Sequence, residues 1–346
     1  MRILALVVLA GSATVAAGSS PSANGTLTAV EGLKVGHVTL AERPTGCTVV
    51  VAEQGAVASV DVRGGAPGTR ETDLLDPVNM VQQVHAIVLS GGSAFGLDAA
   101  SGTMKYLEEH GIGFDVRIAI VPIVPAAILF DLGFGGKPAI RPGPDCGYKA
   151  AAAATVDPVA EGNIGAGAGA TVGKMGGPGR ATKAGIGTSA IVMEDGLVVA
   201  ALVAVNAVGD IVDPATGQVL AGVRTEDGKG FADARTIMRR GELAIAQHPL
   251  ENTTIGVVAT NARLTKVQAQ KIAQMAHDGY ARAIYPVHTP ADGDTIFSLA
   301  TGRWTGRANV GQIGMLAAEA MARAIVRAAT QATSSGSLPA ARDLKQ

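Results

Sequence analysis

Glu251-Asn252-Thr253-Thr254-Ile255-Gly256-Val257-Val258-Ala259-Thr260-Asn261 sets an Asn-Thr bond directly before a β-branched apolar run. Ile255 to Ala259 reads as a buried strand. A hydroxyl residue at the start of such a strand has two readings. It is a plain edge residue, or it is a nucleophile produced when the chain is cut before it. In the second case Thr253 carries a free α-amine beside its own hydroxyl. An α-amine titrates at about 7.7–8.0, so near neutral pH part of it is an unprotonated base. A hydroxyl paired with an N-terminal amine is an activated nucleophile.

Upstream of this strand, Gln247 to Glu251 is a polar connector after a helix expected over about Asp233 to Ala246. A mobile linker running into a strand is a natural place for a break. Further upstream, Gly185 to Met193 and Leu197 to Asn206 read as a hairpin turning at Glu194-Asp195-Gly196. Its second strand is apolar up to Val205 and then meets Asn206. A polar amide ending a buried run needs hydrogen bonds, as a structural anchor or as an oriented donor. Downstream come a long amphipathic helix, about Leu264 to Ala283, and a loop from Pro286 to Asp294. A strand over Thr295 to Ala300 and an Ala-rich helix over Asn309 to Ala329 follow. Asp292 and Asp294 are two apart, so at a strand entry both face one side; alternatively they form an exposed acidic turn about Gly293. The tail from Thr330 is low in complexity and reads as loose.

In the first half, Leu33 to Leu40, Cys47 to Ala52 and Ala56 to Val62 read as short strands. Arg63 to Asp73 is a Gly-rich charged loop, either a surface loop or one that shapes a pocket or a subunit contact. Ala86 to Leu89 is a strand, Ser90-Gly91-Gly92-Ser93-Ala94-Phe95-Gly96 a turn, and Leu97 to His110 a helix. A strand, glycine turn and helix start make an anion- or carbonyl-binding corner, or simply a tight packing contact. The turn is not G-x-G-x-x-G and lacks the P-loop lysine, which disfavours a nucleotide. Arg117 to Val121 reads as a strand, Pro122 to Asp131 as an apolar continuation, and Tyr148 to Thr155 as a helix. Gly162 to Lys174 alternates small residues, which lets another backbone come close, and Lys174 is its only charge.

The 346 residues allow one large α/β domain or two smaller ones, and 46 glycines with 3% aromatics describe a core of small aliphatic side chains. A net charge of −1 offers no general attraction to nucleic acid or to an anionic membrane. Cys47 and Cys146 are not in a C-x-x-C pair, so no metal site is expected; they form one disulfide outside the cytoplasm or remain two buried thiols. No organic cofactor is indicated. The first 17 residues resemble a signal peptide, with Arg2, an apolar run from Ile3 to Ala10 and small residues at Val15-Ala16-Ala17. Residues 18–27 then read as a flexible tail, and the protein is expected to be exported to the periplasm or secreted. The apolar run is too short to span a membrane, and Ser12 stands where a lipidated cysteine would be, so no membrane anchor is expected.

Several motifs in order resemble the DmpA-like aminopeptidase and nylon-oligomer hydrolase (NylC) superfamily. They are Arg63-Gly64-Gly65-Ala66-Pro67-Gly68-Thr69-Arg70-Glu71-Thr72, Ser90 to Asp98, Gly165 to Lys174, Val203-Ala204-Val205-Asn206 and Asn252-Thr253-Thr254. The resemblance runs from about residue 28 to residue 329. It implies an α/β fold, an αββα four-layer sandwich of the DmpA and ornithine acetyltransferase type. It also implies one domain self-cleaved into 28–252 and 253–329, and hydrolysis of peptide or other small amide bonds by the newborn Thr253. By the same resemblance Lys174 and Asn206 fall in the pocket, and Asp292 and Asp294 match a paired-acid motif. The aminopeptidase branch uses a pocket Tyr; here Phe130 or Asp131 stands near that place as a substrate contact, with no matching Tyr.

The chemistry is coherent with these residues. The Thr253 hydroxyl attacks the Asn252 carbonyl, the ester is hydrolysed, and Thr253 then attacks substrate amides through an acyl-enzyme. Asn206 supplies an oxyanion donor. Lys174 holds Asn206 or Thr253 or lowers the amine pKa, and the two acids orient the nucleophile or bind a substrate ammonium. Acyl transfer of the ornithine acetyltransferase type and an uncleaved binding protein are the competing readings. The family also leads us to expect a homo-oligomer of processed pairs.

Overall fold

A computed structural model describes residues 24–241 and 252–344. The signal-like segment 1–17, the start of the expected tail and the connector Gln247 to Glu251 lie outside the described residues. So does the end of the helix expected to reach Ala246.

Nine strands are joined by hydrogen bonds, eight of them along one path: β1 (Lys34–Thr39), β2 (Gly46–Val62), β3 (Thr69–Arg70), β4 (Gln83–Ser90), β5 (Ala126–Ile128), β6 (Ile186–Val192), β7 (Val198–Asn206), β8 (Thr253–Thr260) and β9 (Thr295–Ala300). Their order is β6-β7-β8-β9-β2-β4-β5-β3, with β1 also on β2. The first part of β2 pairs with β1 and β4, and its last residues, Val57 to Val62, pair with β9. Its register with β4 shifts between Val51 and Ala56, where Gly55 has φ 74°. A bulge of this kind bends a strand. Cys47 to Ala52 and Ala56 to Val62, expected as two strands, are therefore one.

The bend lets the two ends of the path face each other. Ile87 and Leu89 of β4 share a core with Leu202 and Ala204 of β7, Ile255 and Val257 of β8, and Phe297 of β9. Alternate residues point outward from this core, in keeping with the strand period of two. On one outer side Val203, Val205 and Val258 pack under α4 (Lys266–Ala283) and α5 (Val310–Thr330). On the other, Val49, Val51 and Val88 pack under α1 (Ala99–Glu109) and α2 (Pro144–Ala152). The layers run helix, sheet, sheet, helix, the expected αββα sandwich. A short helix, α3 (Ala234–Arg240), follows β7 in the chain. All eight residues of β8 are buried, as its unbroken β-branched sequence requires.

Other details differ from the sequence reading. The helix after Ser90 begins at Ala99, behind a 3₁₀ turn over Ser93–Asp98. The strand expected over Arg117 to Val121 shrinks to Ile120–Val121 paired with Phe114–Asp115. Cys47 and Cys146 are joined in a disulfide between β2 and α2. Of the expected flexible tail, Leu27 is fully buried and its amide donates to Thr188 Oγ at 2.9 Å. The C-terminal segment is folded back rather than loose over residues 330–344. Leu338 and Ala340 are buried, Asn163 and Thr333 exchange two hydrogen bonds, and the Lys183 amide donates to the Pro339 carbonyl at 2.9 Å. Among the described residues no helix is long and apolar enough to cross a membrane.

Candidate active site

The Asn252–Thr253 bond sits at the mouth of the ladder. Thr253 is the register partner of Asn206 across the β7–β8 pair. On its other side β9 runs parallel to β8, and the loop that enters β9 bridges Asn252 to Asp292. The Thr253 hydroxyl donates to the Asn252 carbonyl oxygen, and the Gly293 amide donates to the same oxygen at 3.1 Å. The hydroxyl of Thr253 thus lies against the preceding carbonyl, and a backbone N–H polarises the same oxygen.

Asp292 and Asp294 are buried and flank this contact, so the exposed-turn reading does not hold. Asp294 Oδ1 accepts from the Thr254 amide at 2.7 Å, and Oδ2 accepts from the His288 amide at 3.0 Å and from His288 Nδ1 at 2.9 Å. Asp292 Oδ2 accepts from the Thr289 amide at 2.8 Å, whereas Oδ1 has no hydrogen-bond partner among the described residues. Burial first, and then the Asp294 charge, push the Asp292 carboxyl up to about 6. The loop 63–68 clamps this acid pair from outside. The Gly64 amide donates to the Asp294 carbonyl and the Ala66 amide to the Asp292 carbonyl. A Cβ on Gly64 would lie 2.2 Å from the Asp292 carbonyl oxygen, which explains the glycine there. The loop expected to shape a pocket or a subunit contact therefore supports the site.

Asn206 is held from both ends. Its Oδ1 accepts from the Thr171 amide at 3.0 Å and from Lys174 Nζ at 2.8 Å, and its Nδ2 donates to the Phe130 carbonyl at 2.8 Å. Two donors on Oδ1 fix which end of the amide is nitrogen. Lys174 Nζ also donates to the Asn206 carbonyl at 3.0 Å. The Gly-rich run from Gly162 thus brings Lys174 to Asn206; of the two, expected together in the pocket, Lys174 lines the cavity described next, and Asn206 and Thr253 are not among its lining residues.

Lys174 and Thr171 also line a cavity of about 720 Å³, together with Phe130, Phe134, Leu40 and the turn Ser335–Leu338. Asp131 borders it, with its carboxylate held by internal partners. Its carboxylate accepts from Arg43 Nη2 at 2.8 Å, Thr45 Oγ at 2.6 Å and the Gly92 amide at 2.9 Å. With the Arg43 and Asp131 side chains both 0% exposed, this is a structural ion pair. The Ser90-to-Gly96 corner accordingly binds an internal carboxylate through Gly92. Among the described residues there is no cluster fit to hold a metal ion.

A family model described as peptidase family S58 matches residues 25–339. The chain belongs to this family. An S58 relative from Mycobacterium tuberculosis, named an uncharacterized aminopeptidase, is 42% identical over 345 residues, covering 92% of this chain and 97% of its own. The 6-aminohexanoate-oligomer endohydrolase of Paenarthrobacter ureafaciens is 32% identical over 321 residues, covering 86% of this chain and 84% of the enzyme. Two solved structures share the fold. A Burkholderia beta-aminopeptidase has a TM-score of 0.62 at 21% identity, covering 92% of this chain and 89% of that one. The L-aminopeptidase D-Ala-esterase/amidase of Ochrobactrum anthropi has a TM-score of 0.66 at 18% identity, covering 90% and 88%. As a member of a peptidase family, this S58 chain is a hydrolase.

Sequence reasoning missed three parts of the S58 site: the Gly293 amide, His288 and the C-terminal turn. A lone histidine in a polar loop and a Ser/Gly-rich tail carry no periodicity. Only the closeness of His288 to the acid pair in sequence hinted at it.

Proposed function

We propose that Thr253 is the nucleophile of both self-cleavage and turnover. The observation that carries this is the Thr253 hydroxyl seated against an Asn252 carbonyl held by the Gly293 amide. In self-cleavage Oγ bonds to the Asn252 carbonyl carbon and the Asn252–Thr253 C–N bond breaks. The hydroxyl proton is passed to the departing nitrogen. Water then hydrolyses the ester, leaving an Asn252 carboxylate and a free Thr253 amine. In turnover that amine takes the Oγ proton as the hydroxyl attacks a substrate amide, then gives it to the leaving amine. Water releases the acyl group.

Asn206 is the oxyanion donor of turnover, with Lys174 fixing its side chain; a donor of this kind is worth about 2.7–4 kcal/mol of barrier. Asp292, with one oxygen unpartnered among the described residues and its pKa near 6, receives protons beside the junction. Asp294 holds the Thr254 amide.

The substrates are small peptides or other amides, as the names of the relatives suggest. The acyl group enters the cavity lined by Phe130, Phe134 and Leu338. Export is supported by the signal-like residues 1–17 and by the disulfide, which persists in oxidising compartments. Homo-oligomerisation is supported by the exposed side chains of Val78, Met80 and Ile118. The decisive experiment is the intact mass of the purified protein with N-terminal sequencing. A fragment beginning Thr-Thr-Ile-Gly supports the reading, and a chain that stays whole for days refutes it.

A further inference from the structure

His288 is the one residue of the acid loop whose backbone is left-handed without being glycine, at φ 57°. Such a conformation is costly for a bulky residue and persists where the surroundings enforce it. Two bonds do so here. The His288 amide and Nδ1 both donate to Asp294 Oδ2, at 3.0 and 2.9 Å. The other Asp294 oxygen accepts from the amide of Thr254, the residue after the nucleophile. Behind the imidazole lie His277, with ring centroids 4.7 Å away, and Tyr280, stacked at 5.8 Å. His277 Nε2 contacts the Asp61 carbonyl, so a second histidine backs the first from α4. His288 does not line the cavity.

We propose that His288 is a positioning residue for the nucleophile: it locks the Asp294 carboxylate, which in turn fixes the Thr254 amide and so the direction of the Thr253 hydroxyl. The proposal rests on the reading of Thr253 as nucleophile. The donor at Nδ1 matters, and the ring behind it does not.

Two substitutions separate donor from fold. His288→Gly accepts a positive φ and removes the donor. His288→Asn also tolerates the left-handed region and keeps an N–H donor at the place of Nδ1. The measurements are the rate of self-cleavage in freshly folded chain, followed by mass, and kcat and KM on a peptide p-nitroanilide in the processed enzyme. We expect His288→Gly to slow self-cleavage and lower kcat by about tenfold or more, with KM unchanged, since positional errors at the reacting centre act on rate. His288→Asn should restore both rates to within about threefold, in keeping with the restored charge-assisted bond. Equal rates in His288→Gly and the parent overturn the proposal. So does an Asn variant no faster than the Gly variant when both are folded by circular dichroism. Thr253→Ala run alongside tests the underlying reading: cleavage before residue 253 in that variant refutes the nucleophile, and the positioning role with it.

Discussion

The backbone amide of Gly293 and the carbonyl of Asn252 are hydrogen-bonded at 3.1 Å, across a bridge between the acid loop and the residue before Thr253. On the proposed self-cleavage, the carbonyl under attack is thus polarised before any chemistry begins. A Cβ on Gly293 would stand 2.8 Å from Thr253 Oγ and 2.7 Å from the Ala66 carbonyl oxygen. Gly293→Ala should therefore displace the hydroxyl and slow self-cleavage by roughly 100-fold, the cost of a misplacement of about 1 Å. Time courses of precursor loss on gels check this, and a parental rate would show that the contact is incidental.

Thr253→Ala should leave an intact, folded and inactive chain. Thr253→Ser should still cut, because the hydroxyl and its proximity to the Asn252 carbonyl remain. Mass spectrometry reads both outcomes directly, as presence or absence of a fragment spanning residues 253–346.

The acidity of Asp292 sets a pH limit. Burial and Asp294 raise its carboxyl from 3.8 to about 6, so in the folded chain it keeps its proton until near pH 6. Self-cleavage should fall as pH drops below about 6 and the base becomes protonated. Stability runs the other way. Between 3.8 and about 6 the folded carboxyl binds more protons than the unfolded one, so its contribution to stability declines as pH rises through that window. Asp292→Asn should melt higher than the parent above pH 6 while cutting more slowly. A lower melting point there would show that the ionised form is stabilised by the fold.

The pocket should be adjustable from the C-terminus. Ser337 is exposed at its rim and Leu338 is buried in its wall. Ser337→Trp should raise KM for bulky acyl groups several-fold and leave short ones alone, and Leu338→Ala should favour bulkier ones. A graded series of amide substrates of increasing acyl length tests both. A uniform change across the series would assign the turn a purely structural role.

The disulfide joins residues 99 apart in sequence. Disulfides typically stabilise a fold by about 2–4 kcal/mol, and loops of roughly this length stand at the upper end of the range. Cys146→Ala should lower the melting temperature without slowing turnover, since neither cysteine lines the cavity. Calorimetry and p-nitroanilide assays on the same sample decide.

The strand carrying Thr253 was legible because its β-branched run admits little else, and Thr295–Ala300 agrees with the structure residue by residue. The continuity of β2 was hidden by Glu53 and Gln54, exposed residues at a bend that looks like a turn in sequence. The ion pair of Asp131 was not legible because its partner, Arg43, lies 88 residues earlier and nothing local announces the pair. The tail misled for a different reason. Its order comes from polar bonds, such as Ser334 to Asp343 and Asn163 to Thr333, rather than from an apolar stripe. The acid pair was placed by resemblance, but its unequal surroundings, one oxygen unpartnered among the described residues and three satisfied, come from the fold of its own loop at His288 and Thr289 and from Thr254, which no periodicity announces.

With the proposed cleavage before Thr253, strands β8 and β9 would lie after the cut, yet they stand between β7 and β2, which lie before it. Each cleavage product, made by itself, would therefore present raw strand edges: two flanking a missing pair in the longer piece, and two on the outside of that pair in the shorter. Such edges invite aggregation. Splitting the gene at residue 252 would be expected to yield insoluble halves. Synthesis as one polypeptide guarantees equal numbers of both pieces and interleaves them before the bond between them is lost.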